Sequence, residues 1–216
     1  MKKKQGGNTV NLSENFAVTL GREYGSGGKA IAEAVGSKLG IRVYDKSMIR
    51  MIAEQKNRQP DLLDIMNERA YNQFIDPFIN YDIDTNIPAN SSKLFDFEAD
   101  IIRSVADEGP AIFIGRCANE ILWDYPNVIR VFVFAPKTDR VKRIMEKEGI
   151  ADTFEAEKII KRMDRARKTY YQLYSDRKWG TSDGMDLMIN SSSLGIEGSA
   201  KLIVDMLVRR GYVTRL

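Results

Sequence analysis

Glycine, lysine and arginine are spaced along this chain in ways that suit a phosphate group. The first cluster is Gly25-Ser26-Gly27-Gly28-Lys29-Ala30. Glycines let a backbone come close to an anion, and the free N–H groups of a helix start would point at that anion along with the positive end of the helix dipole. Lys29 is the only basic residue at the loop–helix junction and is the expected main cation beside the outer phosphates; otherwise Arg22 or a more distant arginine would have to take that role. The second cluster is Lys161-Arg162-Met163-Asp164-Arg165-Ala166-Arg167-Lys168. Arg162 and Arg165 are three apart, as are Asp164 and Arg167, so neighbouring charges share helix faces. Guanidinium forks fit phosphoryl oxygens and carboxylates. The same run would also serve as an ion-paired, solvated helix surface.

These groups need elements to hold them. The run Phe16-Ala17-Val18-Thr19-Leu20 is β-prone and leads into the glycines. From Ala30 to Leu39 apolar residues recur at helical spacing, and after Gly40 a second strand-like run, Ile41 to Tyr44, ends on Asp45. Strand, glycine loop, helix and strand read as a phosphate-binding βαβ unit, with a plain strand-to-helix turn as the competing interpretation. The usual phosphate-loop pattern is G-x-x-x-x-G-K-[ST], with the lysine on the outer phosphates and the hydroxyl on magnesium. In one register Lys29 is the lysine and Ala30 replaces the hydroxyl residue. In the other, Gly28 takes the lysine position and Lys29 the hydroxyl position. Each register loses one chemical group.

Composition removes whole classes of mechanism. The 216 residues contain no histidine, which excludes an imidazole base or ligand, and phosphoryl transfer survives because it rests on positioning and cations. A single cysteine, Cys117, excludes an internal disulfide and a cysteine metal cluster. The net charge of +3, with acids and bases intermixed, suits a small anion better than a nucleic-acid groove. Met1-Lys2-Lys3-Lys4 is followed by polar Gln5-Gly6-Gly7-Asn8 where a signal peptide needs an apolar stretch. No run reaches transmembrane length. A soluble, cytoplasmic protein without nucleic-acid or membrane partners is expected.

In chain order, residues 1–15 read as a flexible polar arm and 16–216 as one domain. Ser47 is a candidate cap for a helix running toward Lys56. A helical segment from Leu62 and an aperiodic loop from Tyr81 to Ser92 follow, and then a helix from Phe95 to Ala106. Ala111-Ile112-Phe113-Ile114 reads as a strand ending at Gly115-Arg116-Cys117, and Val128 to Phe134 as another. Thr153 is expected to cap the helix from about Glu155 to Tyr174. Leu187 to Asn190 is a last strand, before a helix from Ile196 to Arg210. Strands alternating with helices predict an α/β fold with a mainly parallel sheet, its ligands at the strands' carboxyl ends. The glycine loop, Asp45, Gly115-Arg116 and Asn190 all follow strands.

With these residues in view, the chain resembles the P-loop nucleoside monophosphate kinases, and within them the cytidylate kinase-like family. The resemblance rests on Arg22 to Gly28, on Ile112 to Ala118, on Asp164-Arg165-Ala166-Arg167, on Tyr170-Tyr171 and on Asp186 to Glu197. It implies a three-layer P-loop kinase fold with a central parallel sheet, a helical acceptor-binding insertion over 46–108 and an arginine-rich lid over about 150–182. It also implies ATP and Mg2+ as cofactors and small-molecule nucleotides as partners, with transfer of the ATP γ-phosphate to CMP or dCMP. By resemblance Arg116 would hold the acceptor phosphate, while Arg162, Arg165 and Arg167 would close on the transferring group. Asp164 would orient the lid or the acceptor sugar, and Asp45 would stand at the start of the acceptor pocket. Cys117 stands where cytidylate kinases carry an aspartate that helps read cytosine. Kinase action on a non-nucleotide metabolite, or nucleotide binding without catalysis, are the other functions compatible with the residues. Metal ligands and oligomeric state stay open.

Overall fold

The computed structural model describes residues 10–12, 15–56 and 91–215. Its frame is a five-stranded sheet built from β2 (Ala17–Arg22), β3 (Arg42–Tyr44), β4 (Ala111–Ile114), β5 (Val128–Phe134) and β6 (Leu187–Asn190). The strands lie in the order β3-β4-β2-β5-β6, and each neighbouring pair is parallel. β2 therefore sits in the middle, with β4 on one side and β5 on the other. The direction of winding reverses there, which opens a crevice at the carboxyl ends.

Period-two alternation along the strands decides which helix covers which face. Val18, Leu20, Ile112, Ile114, Ile129, Val131 and Val133 face one layer. That layer is α1 (Gly28–Leu39) with α7 (Ser191–Arg209), through Ile31, Val35, Ile203 and Leu207. Ala17, Ala111, Phe113 and Val128 face the other layer, formed by α2 (Lys46–Lys56), α3 (Ser91–Glu108) and the short α4 (Ala118–Ile121). The result is the expected three-layer α/β architecture. A third apolar cluster joins α5 (Lys137–Glu148) to α6 (Thr153–Leu173) through Val141, Ile144, Ala156, Ile160 and Met163, with Tyr24 of the glycine loop packed into it. The arginine-bearing helix is thereby tied to the loop by packing as well as by charge.

Several local readings differ from the sequence expectation. Within the supposed arm, Val10–Leu12 form β1, which pairs antiparallel with β7 (Val213–Arg215). Leu12 packs on the core there, and Phe16 stacks on Tyr212 at 5.5 Å, so a short apolar edge outweighs the polar composition of the arm. Helix α6 is capped by Asp152, whose carboxylate accepts from Phe154 N–H, rather than by Thr153. For α2, Asp45 rather than Ser47 accepts the Met48 N–H, and the Ser47 hydroxyl donates to the same carboxylate. The final helix begins at Ser191 but is interrupted at Gly195. The segment expected from Leu62 and the loop expected from Tyr81 lie outside the described residues, except for the loop's last two positions, which belong to α3.

Candidate active site

β2 ends on Arg22, and Gly27 is the last loop residue before α1 opens at Gly28. Gly27 has φ +80, which a side chain resists, and a Cβ there would come within 2.7 Å of Ile196 Cδ1. Gly27 brings no side-chain cap, and the first turn of α1 holds no acidic residue. The first N–H groups of α1 thus have no side-chain cap, the state in which a helix start can take an anion. Around them the loop is braced. Asp164 accepts the Tyr24 N–H at 2.6 Å and is ion-paired with Arg140, whose Nη1 also donates to Tyr24 O. Arg143 Nη1 donates to Gly25 O, and the buried Ser191 hydroxyl donates to Ser26 O at 2.6 Å.

Lys29, the cation expected at the loop, is ion-paired. Lys29 Nζ sits 3.0 Å from Asp45 and 4.0 Å from Glu33, one turn along the helix, and its side chain is 63% exposed. Asp45 is partly buried, which opposes ionisation, but hydrogen bonds from Ser47, Lys29 and the Met48 N–H bring its carboxyl down to about 2. Arg22 lies in the crevice instead. A Cβ on Gly28 would come within 2.7 Å of Arg22 Cβ and 3.0 Å of its Cγ, while a Cβ on Gly115 would overlap Arg22 Nη1. The Arg22 side chain therefore runs across the face of Gly28 toward the end of β4. Burial, reinforced by Arg167 and Arg116, pushes its pKa down to about 9 against the pull of Asp45. Arg167 donates to Arg22 O at 3.0 Å and lies over the Tyr24 ring at 5.3 Å. Burial lowers its pKa as well.

At the end of β4, three consecutive residues are left-handed: Gly115 at φ 71, Arg116 at 57 and Cys117 at 54. Non-glycine residues rarely adopt this conformation, and each costs on the order of 1 to 3 kcal/mol. The turn drives Arg116 inward to a buried ion pair with Glu98 of α3, the two side chains being 8% and 2% exposed. The Tyr170 ring covers the guanidinium at 4.2 Å, and its hydroxyl donates to Glu98 at 3.3 Å. Burial pushes the Cys117 thiol up to about 12, so it stays neutral. Arg22, Lys46, Arg116 and Arg167 share the wall of one cavity of about 310 Å³ with the aromatic side chains of Phe132, Tyr170 and Trp179.

The remaining candidates divide. Asp164 and Arg167 meet at the loop. Arg162 is half-buried, and its Nε has no hydrogen-bond partner among the described residues, while Arg165 stands on the exposed face of α6. Ser26 is buried with its hydroxyl donated to Glu23 O, so it braces the loop from inside. Ala30 is exposed on α1. Glu98, Arg140, Arg143 and Trp179 escaped the sequence reading. Arg140 and Arg143 carried a usable signal, being three apart on the helix that follows the clearest strand.

The residues at the loop do not fit a magnesium ion held by the protein. Ala30 has no hydroxyl, Asp45 and Asp164 are already engaged, and among the described residues no three acidic or cysteine side chains cluster as a metal site. No helix among the described residues is long and apolar enough to cross a membrane.

Comparisons with known proteins bear on the fold and the family. An uncharacterised protein from Eubacterium ventriosum ATCC 27560 is 26% identical, with a TM-score of 0.69 over 89% of this chain and 98% of that one. A shikimate kinase from Bacteroides thetaiotaomicron shares the fold at 14% identity and a TM-score of 0.51, over 89% and 98% of the two chains. A curated uronate isomerase of Corynebacterium glutamicum (strain ATCC 13032) is 28% identical over 126 residues, 58% of this chain, which spans about a quarter (24%) of that protein. The family model for the cytidylate kinase-like family matches residues 17–193, most of the chain. The protein is thus a member of the cytidylate kinase-like family with a P-loop kinase fold.

Proposed function

We propose that this protein is a phosphotransferase that moves the γ-phosphate of ATP to a nucleoside monophosphate, with CMP or dCMP as the leading acceptors. The observation that carries the reading is the uncapped start of α1 together with a cavity walled by Arg22, Lys46, Arg116, Arg167 and Lys178. Donor phosphates lie along the loop N–H groups. The acceptor phosphate lies toward Arg116, and Phe132, Trp179 and Tyr170 supply flat apolar walls for a base. An acceptor phosphate oxygen attacks the γ-phosphorus as the bond to the β–γ bridging oxygen breaks, leaving ADP and a nucleoside diphosphate. The acceptor phosphate is already anionic at neutral pH, so no general base is required. Arg167 and Arg162 stabilise charge on the transferring oxygens. Magnesium bound with the nucleotide would supply further charge neutralisation, and no residue of this chain is assigned to hold it. Residues 46–108 form the acceptor-binding insertion, and about 150–182 the lid.

Initial rates of ADP release, with ATP and Mg2+ against each nucleoside monophosphate, test the reading. CMP or dCMP should give the highest kcat/KM. Turnover with a non-nucleotide acceptor alone would replace the nucleotide assignment, and binding without turnover would replace the enzymatic one. The first of these alternatives draws support from Cys117, which gives the cavity a neutral thiol where cytidylate kinases have a carboxylate.

A further inference from the structure

We propose that Arg22 is the donor-phosphate cation of this site, and that the phosphate-loop pattern has exchanged its glycine and lysine chemistry between positions 22 and 28. The inference rests on the ATP-dependent reading above and adds the residue that makes the altered loop workable.

The structure chooses between the two registers. In the pattern, the lysine directly follows the last loop glycine. Here the last loop residue is Gly27, held at φ +80, and the helix opens on Gly28. Counting back from Gly27 through four intervening residues puts Arg22 on the pattern's first glycine. Counting forward puts Gly28 on its lysine and Lys29 on its hydroxyl. A cation stands where the pattern has a glycine, and a glycine where it has the cation.

The two replacements are sterically one event. A side chain at 28 would begin where Arg22 Cβ and Cγ already are, so an arginine at 22 and a lysine at 28 exclude each other. The Arg22 stem passes over Gly28, and its guanidinium reaches Gly115 in the cavity wall that Arg116 and Arg167 share. Lys29, the only other basic residue at the junction, is spent on Asp45 and Glu33 outside. Arg22 is also out of electrostatic balance. Burial and two neighbouring guanidinium groups depress its pKa, and a polyphosphate entering the cavity reverses that imbalance. A rigid fork suits two phosphate oxygens at once, which a lysine ammonium does not.

The test uses the full chain, ATP with Mg2+, the best acceptor from the scan, and calorimetry with ATP alone. Arg22→Gln should lower kcat by about a hundredfold or more, the scale of one lost electrostatic stabiliser, and weaken ATP binding about tenfold. Lys29→Met should leave both within about threefold. Removing a crowded cation should leave the ligand-free melting temperature of Arg22→Gln unchanged or raised, while the increase produced by Mg-ATP shrinks. A purely structural arginine would lower the ligand-free value instead. The double variant Arg22→Gly with Gly28→Lys, which restores the usual pattern at both positions, should regain at least tenfold in kcat over Arg22→Gly alone. Wild-type protein that fails to bind ATP would sink the kinase reading itself. ATP binding by the wild type, together with an undisturbed Arg22→Gln, a crippled Lys29→Met, or a folded double variant no better than Arg22→Gly, would overturn the exchange alone.

Discussion

Two turns leave the carboxyl ends of neighbouring parallel strands, and they are built in opposite ways. The turn after β2 spends glycine at each left-handed position, Gly25 and Gly27, and carries no charge of its own between Tyr24 and Gly28. Any side-chain charge beside it comes from elsewhere, such as Arg22 at the end of the strand behind it. The turn after β4 spends glycine only at Gly115 and forces Arg116 and Cys117 into the same left-handed region. It presents one guanidinium, fixed by Glu98 and Tyr170, at the cost of backbone strain. A flexible polyphosphate suits the first arrangement, because many N–H groups can follow a chain of oxygens. A single phosphate whose position selects the acceptor suits the second.

The comparison breaks most readily at Gly27. Gly27→Val places a β-branched side chain at φ +80 and against Ile196, so ATP affinity should fall by on the order of a thousandfold or beyond detection, with far-UV circular dichroism preserved. Normal binding by calorimetry would mean that the first turn is not the donor site.

The second turn is sharpened by Arg116. Because Arg116→Ala strips a partner from a buried carboxylate, it should cost about 3–5 kcal/mol in urea unfolding and raise the acceptor KM at least tenfold. Arg116→Met combined with Glu98→Leu should recover most of the stability but not the KM. If the double variant recovers both, Arg116 is only a packing element.

Arg167 belongs to neither turn. It reaches the first from α6 through the Arg22 carbonyl and the Tyr24 ring. On the proposed phosphoryl transfer, Arg167→Ala should lower kcat about tenfold to a hundredfold with little change in the KM for either substrate, as loss of a contact that gains most in the transition state does. A change confined to KM would move Arg167 into ground-state binding.

The fold was legible because strand alternation and glycine placement are local properties. Val18, Leu20, Ile112 and Ile114 announce their face in the sequence itself. What stayed hidden was created by distance. Glu98 reads as one acidic residue among many on a helix, and only the three-layer packing carries it under Arg116. The register of the glycine loop was ambiguous because it depends on where the helix opens, and that is set at Gly27 by backbone torsion rather than residue type. Lys29 stands out in the sequence by adjacency alone, and its partner Asp45 is brought to it by the return of the chain through β3. Val10–Leu12 were missed for the same reason, since their partner strand is at the far end of the chain.

The smallest expected effect concerns that Lys29–Asp45 pair, which stands just outside the first turn. Asp45 titrates lower when folded, at about 2, than the ordinary aspartate value of 3.8. Its contribution to stability is therefore complete above about pH 4 and is lost as the pH falls through 2, because the unfolded chain takes up the proton first. The partner ammonium is largely exposed, so the contribution is of the order of 1 kcal/mol rather than what the full shift would imply. Asp45→Asn should accordingly lower stability by about that amount at pH 6 and by progressively less toward pH 2, as followed by urea unfolding across the range. Lys29→Met should lower it by a fraction of this, since the Ser47 hydroxyl and the Met48 N–H still hold the carboxylate. A lysine serving the donor phosphates would behave differently, with Lys29→Met leaving the acid limb unmoved and stopping turnover. An acid limb shifted by both variants, with turnover retained in Lys29→Met, assigns the pair to holding β3 and α2 against α1, and leaves the donor side to the glycine loop and its arginines.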